Sequence, residues 1–174
     1  MNSLGISEDA PILSAKPRLL AIDVDDTLLE ADVTLSNQSI EAVAKAQSAG
    51  IHVMLATGRM YRSALPYARR LNMEGYLIVY NGALIRSVEG ETLWHKPVPE
   101  KEAFRLVEIA REEDISLNLY IDDRLLVDER NEHIRAYEKV AGLEAEEVDL
   151  EAALEWGEPT KCLFVGDPKR VAAI

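Results

Sequence analysis

Three short apolar runs, each ending in a polar group, constrain the fold of this chain more than any other feature. They are "RLLAID", "IHVMLAT" and "GYLIVYN", which end at Asp23, Thr57 and Asn81. A run of Leu, Ile and Val without polar alternation reads as a strand buried on both faces, the kind found in parallel sheets. Helical spacing fills the two stretches between them. "SNQSIEAVAKAQSAG" puts Ile40, Val43, Ala44 and Ala46 on one stripe, with Ser36 as N-cap and Gly50 where a helix end favours a left-handed residue. "GRMYRSALPYARRLNM" reads as a second, less regular helix, which Pro66 should kink or shorten. The order is β-α-β-α-β with short connections. Right-handed crossovers then give a parallel sheet with helices on its faces. Ligands of such sheets gather beyond the carboxyl ends of the strands. One rim is therefore expected to collect Asp23-Val24-Asp25, Thr57-Gly58-Arg59 and Asn81-Gly82.

After Gly82 the pattern changes. "ALIRSVEGETLWHKPV" reads as a hairpin turning at Glu89-Gly90. An amphipathic helix follows, with Phe104, Leu106, Val107 and Ile109 as its apolar content. Two alternating strands flank Asp122-Asp123, helical stretches are expected near 129–141 and 149–156, and "TKCLFVG" is a last strand. Alternating strands argue an antiparallel sheet covered on one face. The chain therefore divides into a tail over 1–17, a parallel core over 18–82 and a second α/β unit over 83–174.

Composition narrows the class. Hydrophobic residues make up 48% of the 174, enough for a packed core. With 19 basic against 31 acidic side chains the net charge is −12. That disfavours nucleic acid or an anionic membrane surface as partner and suits a protein that recruits divalent cations. The one cysteine, Cys162, sits in "CLFV" and reads as a small buried hydrophobe. No run reaches the roughly 18 apolar residues of a membrane span. The first residues lack a basic start followed by a long apolar run, so a cytoplasmic protein without a signal peptide is expected.

The rim residues suggest a chemistry of their own. An aspartate at a strand end can act as a nucleophile toward phosphorus and form an aspartyl-phosphate. A second aspartate two residues on can protonate a leaving group and later activate water. Two carboxylates so close call for a counter-cation, and a hard, oxygen-seeking Mg²⁺ suits both them and a phosphate. Thr57 can bind a phosphoryl oxygen through its hydroxyl and backbone N–H. The helices starting behind these loops favour an anion.

"DVDDTLL", then "ATGR", then "VYNGALI" resembles the haloacid dehalogenase superfamily, and more narrowly its Cof-type (class IIB cap) phosphatases. The likeness runs from about Arg18 to the end. It implies a Rossmann-like parallel-sheet core, here partial, with an inserted α/β cap. By this resemblance Asp23 matches the nucleophile and a magnesium ligand. Asp25 matches the general acid/base, and its carbonyl a second metal ligand. Thr57 and Gly58 match the phosphate-binding loop, and Asn81 and Gly82 the loop that leads into the cap and borders the substrate. The implied function is a Mg²⁺-dependent phosphatase of small phosphorylated metabolites, sugar-phosphate-like. The alternatives are a phosphosugar mutase on the same scaffold and a non-catalytic phosphate- or metal-binding fragment.

The chain departs from the family pattern at two points. Asp26 stands where the family most often has glycine; Asp tolerates left-handed geometry, so the turn can survive. The family's lysine and its G-D-x-x-x-D carboxylate pair have no counterpart. "LFVGDPKRV" lacks the second carboxylate and reads as a late cap strand, which also makes Lys161 a cap residue rather than the catalytic lysine. The 174 residues alone should therefore turn over weakly or not at all. The edge of "RLLAID" should be open to self-association. Among the remaining candidates, Arg59 is read as a structural ion pair and His52 as a packed core histidine. His95 and His133 are read as surface residues, Asp122-Asp123 as a cap turn, and "EAEEVDLEAALE" as a solvated acidic face.

Overall fold

A computed structural model of the chain describes residues 17–29 and 34–174. The expected tail over 1–17 therefore lies almost wholly outside the described residues. Strand β1 (Leu19–Ile22) pairs in parallel with β2 (His52–Leu55), Leu19 opposite His52 and Ile22 opposite Leu55. A parallel bridge between Ala56 and Ile78 joins β2 to β3 (Tyr76–Val79), so the strands stand in the order β1-β2-β3. Helix α1 (Asn37–Ser48) packs on β2, and α2 (Tyr61–Arg70) against β2 and β3. The Ser36 hydroxyl accepts from Ser39 N, and Gly50 has φ 77°, as the capping pattern predicts. Ala44 is exposed, so the buried stripe of α1 centres on Val43. Helix α2 runs through Pro66 as one element.

One expectation for β1 is overturned. "RLLAID" is a strand but is not buried: Leu19 is 54% and Leu20 40% exposed. Among the described residues β1 pairs with β2 alone, and no element covers these side chains. His52 is also exposed rather than packed in the core. Its ring instead lies beside Gly75, where an added Cβ would sit 3.3 Å from it.

The hairpin β4 (Leu84–Ser87) and β5 (Thr92–His95) turns at Glu89-Gly90 as expected. It extends the core sheet: β4 pairs antiparallel with β3, Val79 opposite Leu84. Continuous pairing thus crosses the division drawn at 82/83, and β-structure joined to the core continues to His95.

The second unit is a four-stranded sheet in the order β8-β7-β6-β9. Its strands are β6 (Ser116–Ile121), β7 (Arg124–Val127), β8 (Glu146–Glu147) and β9 (Lys161–Val165). Pairing is antiparallel except between β7 and β8. Both faces are covered, not one. Leu117, Leu119, Ile121 and Leu126 pack with α3 (Glu100–Glu112) and α5 (Leu150–Leu154). Tyr120, Leu125 and Val127, together with Ile134 of α4 (Glu132–Ala141), join the cluster that holds Val79, Tyr80 and Leu84. The apolar residues of β6 and β7 thus serve two layers, so the pattern read as one-sided alternation belongs to a sheet covered on both faces. The acidic 144–155 stretch is only partly solvated, since Leu150, Ala153 and Leu154 are buried beneath its carboxylates. Cys162 packs in the α3–α5 layer, where burial pushes its thiol up to about 12.

Candidate active site

The ends of β1, β2 and β3 meet through backbone bonds and one ion pair. Thr57 N donates to Ile78 O (2.9 Å), Asn81 N to Thr57 O (3.1 Å) and Tyr80 N to Arg59 O (2.8 Å). These bonds lock the loop after β3 against the loop after β2. The backbone there is unusual: Tyr80 and Asn81 both have left-handed φ, 51° and 57°, followed by Gly82 at 93°. Two consecutive non-glycine residues in that region are costly and persist only when the surroundings hold them. Tyr80 is the anchor here. Its ring is buried and edge-on to Tyr120 at 5.7 Å, and its hydroxyl donates to Asp123 Oδ1 at 2.8 Å.

The sequence-predicted residues fall as follows. Asp23 is exposed just beyond β1, with Oδ1 accepting from Val24 N at 2.8 Å. Among the described residues it forms no ion pair. Asp25 is gripped by Arg59. Nε donates to both carboxylate oxygens (3.1 and 2.9 Å) and Nη2 to Oδ1 at 2.6 Å. The Arg59 side chain is 9% exposed and that of Asp25 51%. Arg59 is thus an ion pair, as expected, but its partner is the second aspartate of the rim. The hydrogen bond to Asp25 holds the guanidinium above its ordinary value, against desolvation. Nη1 also donates to Ser63 Oγ (3.2 Å), and that hydroxyl donates to Ala141 O at the end of α4 (3.1 Å). The grip on Asp25 is therefore braced by the cap.

Thr57 is buried, and its hydroxyl accepts from Arg59 N at 3.2 Å. Its own N–H is committed to Ile78, so only the hydroxyl remains to donate to a ligand. Gly58 lies against Asn81: a Cβ on it would stand 2.6 Å from the Asn81 amide oxygen. Gly82 makes the turn and touches nothing where a Cβ would be. Asp26 has φ 55°, the left-handed geometry expected of the residue in the family's glycine position.

A cavity of about 340 Å³ opens between core and cap. Asp25, Gly58, Arg59 and Asn81 form its core side. Met60, Tyr120, Tyr137, Leu143 and Leu163 give it an apolar, aromatic wall. The Tyr120 and Tyr137 hydroxyls are 2.5 Å apart, and burial pushes Tyr120 well above the usual phenol range. Ser63 and Lys161 complete the polar lining, and the Lys161 Nζ donates to Gly58 O at 3.2 Å. The sequence places Lys161 in a late strand away from the rim, and it does start β9. The pairing of β9 with β6, Lys161 opposite Tyr120, carries it across to the rim. No local signal announces such an approach. Asp167 stays away from the rim and caps α6 (Pro168–Val171) by accepting from Lys169 N and Arg170 N.

Asp123 sits in the Asp122-Asp123 turn as predicted, with φ 48° and 58° for the pair. It also pins the cap to the core through Tyr80. His95 is exposed, its Nε2 2.9 Å from Thr160 Oγ1, and His133 is exposed.

A magnesium ion would find oxygen donors at the rim. The Asp23 carboxylate and the Asp25 carbonyl are the hard ligands it takes, and Mg²⁺ usually binds one or two carboxylates while keeping several waters. Among the described residues no group of three or more His, Cys, Asp or Glu side chains forms a metal cluster. No helix among them is long and apolar enough to cross a membrane.

Known proteins give the fold a family. The profile of haloacid dehalogenase-like hydrolases matches residues 20–174. The pyridoxal phosphate phosphatase YbhA of Escherichia coli is 31% identical over 118 residues, which are 67% of this chain and 43% of that protein. An HMP-PP phosphatase of Escherichia coli is 27% identical over 150 residues, 86% of this chain and 55% of that one. The chain thus spans about half the length of these curated relatives. A haloacid dehalogenase-like hydrolase from Bacteroides thetaiotaomicron superposes with a TM-score of 0.82 at 25% identity, covering 91% of this chain and 61% of that structure. The phosphatase BT1666 of the same organism gives 0.78 at 25%, covering 97% and 63%. With its family profile matched from Leu20 to the last residue and its fold shared with these structures, this chain belongs to the haloacid dehalogenase-like hydrolases.

Proposed function

We propose that the chain carries the nucleophile half of a phosphatase acting on small phosphorylated metabolites through an aspartyl-phosphate. The observation that carries this reading is the rim itself. An exposed strand-end carboxylate, Asp23, without an ion pair among the described residues, stands two residues from Asp25, which lines a cavity with Gly58 and Asn81. Phosphatases among the relatives support it.

On this reading an Asp23 oxygen attacks phosphorus, the phosphorus–oxygen ester bond breaks, and the leaving alcohol takes a proton from Asp25. Asp25 then accepts a proton from water as that water attacks the acyl-phosphate, which frees Asp23 and phosphate. Arg59 positions Asp25, while the Thr57 hydroxyl and the Gly58–Asn81 loop cradle phosphoryl oxygens. A Mg²⁺ held by the Asp23 carboxylate and the Asp25 carbonyl would supply charge neutralisation at the phosphoryl group. The leaving alcohol would lie against Met60, Tyr120, Tyr137, Leu143 and Leu163. That wall suits a ring-bearing alcohol better than a polyol, whose hydroxyls would lose water without partners. The functional division then falls after the β4–β5 hairpin, with the cap beyond it.

A binding-only fragment would hold phosphate without transfer to Asp23. Acetyl phosphate with Mg²⁺, followed by peptide mass spectrometry, separates the two. Phosphate on Asp23, absent in Asp23→Asn, is the expected result. Modification elsewhere, or none, would overturn the catalytic reading.

A further inference from the structure

Three features around the cavity are unused by the reaction above: the Tyr120–Tyr137 hydroxyl pair, the Asp123–Tyr80 contact and Lys161. Lys161 is the one with charge to offer. Its ammonium is half-buried, and among the described residues no carboxylate pairs with it, although the chain carries a net charge of −12. The other cation of the cavity, Arg59, directs its fork at Asp25. Lys161 directs one N–H at Gly58 O, in the loop read as the phosphate cradle, and an ammonium has three N–H groups to donate. Burial pulls it below the ordinary lysine value. An anion placed beside it would favour the charged form again.

Its position is not a matter of a flexible surface stem. Lys161 starts β9, opposite Tyr120 in a five-pair antiparallel register. Thr160 N donates to Tyr120 O at 2.7 Å just before it. The ammonium lies 5.9 Å from the Tyr120 ring centroid, a cation–π distance that steadies it over the cavity wall.

We propose that Lys161 is the cap's phosphate-binding residue, its ammonium meeting an oxygen of the phosphoryl group cradled by Gly58 and Asn81. This rests on the phosphatase reading and adds to it. The phosphate site is then shared between a core loop and a cap strand, and is complete only with the cap seated.

The test is calorimetric titration of inorganic phosphate, with Mg²⁺ present, into the wild type, Lys161→Met, Lys161→Arg and Thr57→Val. A charge-assisted hydrogen bond to phosphate predicts a roughly ten- to hundredfold loss of affinity in Lys161→Met and near-wild-type affinity in Lys161→Arg. Thr57→Val should weaken binding too. If Lys161→Met binds phosphate like wild type while Thr57→Val does not, the inference falls and the phosphatase reading stands. If both lysine variants lose binding alike and also melt lower without ligand, Lys161 is only a cap-to-core tether and the inference falls. If the wild type neither binds phosphate nor is phosphorylated on Asp23, both readings fall together.

Discussion

The amide oxygen of Asn81 stands 2.6 Å from the place a Cβ on Gly58 would occupy. Two strand ends distant in sequence are thus packed so closely that a Cβ at 58 requires the Asn81 side chain to shift. Gly58→Ala should push the Asn81 amide out of the cradle. Because that amide is the free end of an exposed side chain, the urea midpoint should change little while phosphate binding weakens. Unweakened binding would mean that Asn81 has no part in the cradle.

Asp25→Asn should spare phosphoryl capture by Asp23 more than it spares release. The carbonyl, not the carboxylate, is the proposed metal ligand, while water activation needs the carboxylate. General base help is typically worth about 10²–10⁴-fold. The lifetime of acetyl-phosphate-derived label on Asp23 should lengthen by that order. A change of less than about tenfold would assign the base elsewhere.

Asp123 is held above its ordinary value of 3.8 by burial, which outweighs the Tyr80 and Arg62 bonds that pull it down. A carboxyl whose folded-state pKa is raised favours folding at low pH and costs stability as pH climbs from its unfolded value through its folded one. Asp123→Asn keeps an acceptor for the Tyr80 hydroxyl. It should unfold at higher urea than wild type at pH 7, and the gain should shrink toward pH 4. Asp123→Ala leaves that hydroxyl without its partner and should cost about 1–3 kcal/mol. Equal effects of the Asn variant at both pH values would count against the burial account.

We propose that the exposed face and edge of β1 drive self-association, because unpaired strand edges beside apolar side chains template pairing. Leu20→Lys puts a charge on that strand, 40% exposed in the native chain. Light scattering should report a larger mass for the wild type than for the variant at the same concentration. A wild type that is already a monodisperse monomer would remove the idea.

The aromatic wall of the cavity predicts a preference among phosphomonoesters. Pyridoxine 5′-phosphate should bind more tightly than sorbitol 6-phosphate, and Tyr137→Ala should narrow the gap by roughly tenfold. That is the order expected from losing one aromatic contact of about 1 kcal/mol or more. Equal affinity of the two ligands would leave the phosphate site as the only determinant.

Much of the rim was legible because it is written locally. An apolar run ending in Asp23, Thr57 or Asn81 specifies a strand and places its last residue, and parallel crossovers bring strand ends to one edge whatever the rest of the chain does. Capping and turn chemistry were local too: Ser36, Gly50 and the Glu89-Gly90 turn follow from neighbours in sequence, whereas the left-handed Asp26 followed from the family resemblance. Burial was less legible. "RLLAID" has the composition of a strand covered on both faces, yet Leu19 and Leu20 are exposed, because cover is supplied by other elements and not by the strand itself. The hairpin after Gly82 shows no partner in its own sequence, and only the tertiary structure pairs it with β3. Lys161 and Asp25 lie far apart along the chain and line one cavity, and Arg59 chose Asp25 as its partner. Such meetings depend on strand register and on how the cap seats over the core. Periodicity encodes which face a residue takes, but not what stands opposite it.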